Sequence, residues 1–218
     1  MTAVLVIFTI ILFITIDIVK VRMAHRKEVG ELLPVRAFSD IRLPQGLFLG
    51  GQHSWARLTS LGELKIGMDE LLTQAIGSVD RVELPEVGGK VVKGETLATV
   101  FHGGRQLKIA SPIDGTVVVA NHGLEQDPAA IAEDPYGSGW LATVWPTEHG
   151  EALKSLRVGG KAVNWMRQET QRFCDFLSVE AAPTAVGAAL ADGAHPVVGA
   201  ALSLDDKGWA EFQKEFLN

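Results

Sequence analysis

The sequence predicts a mainly β domain, a barrel or a sandwich, preceded by one apolar helix and followed by a helical extension. Three observations carry this. Between residues 47 and 146, short runs rich in Val, Ile, Leu and Thr alternate with turns rich in Gly, Pro, Asn and Asp, the signature of many short strands. Residues 1–19 are almost wholly apolar, with Asp17 the one charged residue among them. Beyond residue 146, apolar side chains recur at three- and four-residue intervals, which is helical spacing. The chain has 218 residues, enough for about one ordinary domain once an anchor and a linker are set aside.

A membrane-spanning helix needs about 20 mostly apolar residues, and about 17 at the least, so residues 1–19 form a short transmembrane anchor. No Lys or Arg precedes the run, and bulky or charged residues follow it, unlike a cleaved signal peptide. Lys20, Arg22, Arg26 and Lys27 all follow the span, so the positive-inside rule places the C-terminal body in the cytoplasm of a single-pass protein. The lone Cys174 agrees, because a disulfide framework would need an even set. Asp17 sits near the cytoplasmic end of the span. Residues 20–46, charged and interrupted by Gly30 and Pro34, form a juxtamembrane linker.

In the body, strands are expected at 47–50, 56–58, 62–66, 78–83, 90–91, 96–101, 105–109, 115–121 and 141–144. A helix over 68–75 is marked by Asp69 and Glu70 early and by Leu71, Leu72 and Ile76 on one edge. Gly103 and Gly104 lie between two β-rich runs. A two-residue primed turn needs positive φ, so these glycines are the expected hairpin tip, flanked by His102 and Arg105. Residues 147–218 form the helical extension. Val163, Met166, Thr170, Phe173 and Leu177 define one amphipathic helix, and a last helix beginning at Asp205-Asp206 carries Trp209, Phe212, Phe216 and Leu217. Those aromatics either dock on the barrel or form a partner-binding arm.

Several stretches resemble the glycine cleavage H protein family, lipoyl carriers that shuttle an aminomethyl group between partner enzymes. Gln52-His53-Ser54-Trp55 stands where the family has a His-Glu-Trp motif, and Ile66-Gly67 opens a similar Gly-Ile-Thr stretch. Val82-Glu83-Leu84-Pro85-Glu86-Val87-Gly88, Gly94-Glu95 and Ser111-Pro112-Ile113-Asp114-Gly115-Thr116-Val117 follow in order. Asn121 and Glu133-Asp134-Pro135-Tyr136-Gly137-Ser138-Gly139-Trp140-Leu141 complete the pattern, which spans residues 47–146. The resemblance implies the barrel-sandwich hybrid of lipoyl and biotinyl carriers, with flanking helices.

The chain departs from the family at the centre of its chemistry. Counted without gaps, the family's lipoyl lysine falls on Gly104, and glycine cannot form a lipoyl amide. Lys108 is the nearest lysine, but a turn centred on Gly103 and Gly104 puts it opposite Thr99, down the strand. The expected function is therefore that of an adaptor or structural subunit of a membrane complex, redox assemblies included, with no cofactor. Two alternatives stay open: a lipoyl carrier using Lys108, and an unmodified accessory factor that binds lipoyl-system proteins. Candidate partner contacts are His102, Gly103, Gly104, Arg105, Trp209, Phe212 and Phe216.

Catalysis and metal binding find no support. The six histidines are scattered, and none stands at a metal spacing from Cys or another His. Cys174 lies on an apolar helix face without a base beside it, as a core thiol would. A net charge of −6 argues against a nucleic-acid footprint.

Overall fold

The structure, a computed structural model, describes residue 41, residues 43–181 and residues 197–217. The expected anchor over 1–19 and almost all of the linker lie outside the described residues. Among the described residues, no helix is long and apolar enough to cross a membrane.

Among the described residues the strands are β1 Leu47–Leu49, β2 Ser54–Leu58, β3 Leu64–Met68, β4 Arg81–Glu83, β5 Lys90–Val91, β6 Thr96–His102, β7 Arg105–Ala110, β8 Gly115–Ala120, β9 Trp140–Pro146 and β10 Arg157–Val158. The helices are α1 Glu70–Ile76, α2 Ala130–Glu133, α3 His149–Lys154, α4 Gly160–Glu180 and α5 Asp206–Leu217. A seven-stranded sheet has the order β10-β1-β2-β3-β9-β8-β5, and a three-stranded sheet the order β4-β6-β7, with antiparallel pairing throughout.

Alternation along β3 shows how the sequence sets the larger sheet. Leu64, Ile66 and Met68 share one face and are buried, while Lys65 between them is only partly covered, as a period of two requires. Gly67 is different. A Cβ there would stand 2.6 Å from the Trp55 indole, so the glycine lets the ring lie against the neighbouring strand.

Two apolar clusters fill the interior. One joins Ile66, Leu64 and Val144 of the larger sheet to Leu97, Ile113 and Leu156. The other joins Trp55, Met68, α1 and the inner faces of β6 and β7 to α4 and α5. In this second cluster Phe173 and Phe176 meet Phe212 and Phe216, with ring centroids 5.6–6.2 Å apart.

The Asn121 and Glu-Asp-Pro-Tyr-Gly motifs hold the β8–β9 connection. Asn121 Nδ2 donates to the carbonyls of Ser138 and Trp140. Asp134 accepts from the Ser138 amide at 2.7 Å, the turn role expected of a carboxylate there. The Tyr136 hydroxyl accepts from the Glu70 amide, tying this loop to the first turn of α1.

Some boundaries differ from the sequence reading. Met68 ends β3, so α1 starts later than expected, with Asp69 as its N-cap. Residues 78–80 precede β4 and do not belong to it. The sheet also runs beyond residue 146, because the two-residue β10 pairs with β1. Strands that short leave almost no periodic signal.

Candidate functional site

The β6–β7 hairpin is the place where the chain could carry chemistry, and its turn is the one expected. His102 pairs with Arg105 across Gly103 and Gly104, whose φ values are +55° and +79°. Positive φ at both central residues is the primed-turn geometry that glycine adopts without steric cost. A Cβ built at either glycine meets nothing within 4 Å, so the tip protrudes.

The amine nearest the tip in sequence is that of Lys108, which pairs with Thr99 within β7, away from the turn. It stands at an exposed position of a strand whose backbone is held in a ladder on one side.

One side of the tip is fastened by Asp80. Its Oδ1 lies 2.9 Å from His102 Nδ1, and its Oδ2 accepts from the Gly103 amide at 2.9 Å. The Gly103 N–H and the His102 ring together hold the Asp80 carboxyl below the usual carboxylate range. Ser78 Oγ lies 3.1 Å from His102 Nε2. His102 is thus a tethered side chain.

The other side is fastened by the C-terminal helix. Arg105 donates to the Leu204 carbonyl at 3.0 Å and to Asp206 at 2.8 Å, and its guanidinium sits 5.2 Å from the Trp209 ring centroid. Gln213 donates to the Gln106 carbonyl at 2.7 Å, covering backbone of β7. Trp209, Phe212 and Phe216 are buried in the core shared with α4. Apolar rings already removed from water inside the chain gain little from a partner. Arg105 uses two of its donors within the chain, one to Asp206 and one to Leu204.

A buried histidine that the sequence reading passed over lies beside this assembly. His53, with φ +56°, is 1% exposed, and its Nδ1 lies 2.9 Å from Asp69 Oδ2. Asp69 Oδ1 meanwhile accepts from the Leu72 amide, so one carboxylate caps α1 and holds the imidazole. His53 Nε2 faces Glu169 of α4 at 3.6 Å, and Trp165 and Phe216 flank the ring. Burial opposes the charge on His53, but Asp69 and then Glu169 outweigh it and push its pKa up to about 9. The imidazolium is therefore an ionic joint between the segment entering β2, the N-cap of α1 and α4. Only the Gln-His-Ser-Trp motif marked it in sequence; Asp69 and Glu169 lie too far along the chain for spacing to reveal them.

Cys174 is half-buried on α4, with its pKa raised by burial and then by Asp175. A depressed thiol pKa, the mark of a nucleophile, is the opposite condition. Among the described residues, no group of three His, Cys, Asp or Glu side chains could hold a metal ion.

A small two-sheet β domain with a protruding primed-turn hairpin and flanking helices defines a carrier-type domain of the lipoyl-domain fold. The family model described as "Glycine cleavage H-protein" matches residues 48–169, and the chain belongs to that family. It is 36% identical over 118 residues to the glycine cleavage system H protein of Thermus thermophilus, covering 54% of this chain and 91% of that protein. With the H protein of Corynebacterium jeikeium, identity is 35% over 116 residues, covering 52% and 91% of the two chains. A crystal structure of the H protein from Mycobacterium marinum superposes with a TM-score of 0.51 at 30% identity, covering 58% of this chain and 99% of that one.

Proposed function

We propose that this chain is a non-catalytic, lipoylation-incompetent member of the H-protein family. It acts as an adaptor or structural subunit of a membrane-associated complex, held there by the apolar run over residues 1–19 with its body in the cytoplasm. The observation that carries this reading is the hairpin tip. Gly104 stands where the resemblance puts the lipoyl lysine, and the turn it forms offers no amine.

The residues present do not fit a lipoyl group. Attachment needs a lysine on a protruding turn that a ligase can enclose, whereas Lys108 lies in the strand opposite Thr99. A carrier hairpin must also enter successive partner sites, and here Arg105 and Gln106 are engaged by Asp206 and Gln213 of α5. Retention of the turn without its amine suits a docking surface better than a shuttle, and the adaptor role is argued from that difference, since fold alone does not fix function.

The test is purification of the full chain from its own membranes in mild detergent, with the co-purifying chains identified and counted. The proposal expects a membrane subunit in fixed stoichiometry. A chain recovered alone from the soluble fraction contradicts it.

A further inference from the structure

We propose that a polar groove between the β1–β2 turn, the β5–β6 turn and the segment entering β10 binds a small anion of carboxylate or phosphate chemistry. The groove encloses about 340 Å³, and Gly50, Ser54, Lys93, Ser111, Ser155 and Arg157 are among its walls. Among the described residues its lining holds two cations and no carboxylate. Neither Lys93 nor Arg157 has a carboxylate within 4.0 Å among the described residues, although Arg157 is near enough to Glu169 to help hold its pKa down. The Arg157 guanidinium is positioned by stacking 4.8 Å from the Trp165 ring centroid.

The Ser54 hydroxyl is the second, independent observation. It is buried, has no hydrogen-bond partner among the described residues and belongs to a residue that lines this groove. A buried hydroxyl without a partner is costly, and an anion's oxygen would satisfy its donor. Gly50 keeps the approach open: a Cβ there would stand 2.9 Å from Ser54 Oγ and 3.0 Å from Pro112 Cβ. Ser111 and Ser155 donate to the Ile113 and Ala152 carbonyls, so recognition of negative charge falls to Ser54 and the two cations.

Size is limited by the neighbouring cavity of about 430 Å³, which shares Lys93 and Ser155 but adds Asp114, Glu148 and Glu151. Their carboxylates would repel an anion extending that way. A compact ligand such as a monophosphate or a short carboxylate is the class that fits.

The experiment is titration of the ¹⁵N-labelled full chain, in zwitterionic detergent at constant ionic strength, with inorganic phosphate or acetate. Saturable amide shifts centred on Gly50, Gly51 and Ser54 are expected. Lys93→Gln and Arg157→Gln should each weaken them by about tenfold or more, the loss of one charge-assisted contact. Gly50→Ala should block the site, while the spectra show each variant folded. Vesicles of phosphatidylglycerol in phosphatidylcholine that saturate the same amides at lower phosphate concentration would assign the anion to a lipid headgroup; the reverse order assigns a soluble metabolite. Shifts that chloride reproduces, or that survive both charge substitutions, overturn the proposal.

Discussion

The guanidinium of Arg105 donates to the main-chain carbonyl of Leu204 at 3.0 Å, joining one flank of the hairpin tip to a residue 99 positions further along the chain. Its ion pair with the fully exposed Asp206 is the weaker attachment, since exposed pairs contribute about 0–1 kcal/mol. The carbonyl contact and the packing over Trp209 carry most of the fastening.

Arg105→Ala should therefore lower stability by about 1–3 kcal/mol, the range for hydrogen bonds from a charged donor. Asp206→Ala should leave stability nearly unchanged, as most surface changes do. Urea unfolding of both variants checks the pair, and equal losses would assign the fastening to the ion pair.

Phe212→Ala should cost about 3–5 kcal/mol, the range for removing a buried aromatic ring. The loss should appear as a lower midpoint of chemical unfolding. A variant of unchanged stability that loses only a partner would restore the partner-arm reading.

His53 should make stability fall as pH rises. Its folded pKa, about 9, is raised above the ordinary 6.5, so the native state holds the proton more tightly than the unfolded chain. The contribution is fully present below pH 6.5 and is lost as pH climbs through about 9. At its fullest it amounts to about 3 kcal/mol. Unfolding free energies across that window should show the decline, and His53→Gln should flatten it while lowering stability at neutral pH. An unchanged slope in that variant would remove His53 from the joint.

Gly104→Lys should restore what the tip lacks. A lysine at φ +79° costs about 1–2 kcal/mol in backbone strain, which the protruding turn can bear because no neighbour crowds it. A lipoate ligase should then modify the variant but not the parent chain, and mass spectrometry reads the difference. Failure of the variant to accept lipoate would place the barrier elsewhere than in the missing amine.

The hairpin was legible in the sequence because its cause is local: two adjacent glycines between β-rich runs define both the turn and the Thr99–Lys108 register. The apolar faces of α4 and α5 were legible for the same reason, since helical spacing writes them into adjacent turns. The destination of Trp209, Phe212 and Phe216 was not, because spacing shows that a stripe is apolar but not which surface covers it. The His53 cluster was hidden more deeply. Its partners come from α1 and α4, so its charge follows from tertiary packing alone.

Intact-mass and peptide-mass analysis of the native protein, isolated from its own membranes, tests the central claim most directly. An adaptor would yield an unmodified hairpin peptide with Lys108 free. A lipoyl adduct on Lys108 would contradict it and return the chain to the carriers of its family.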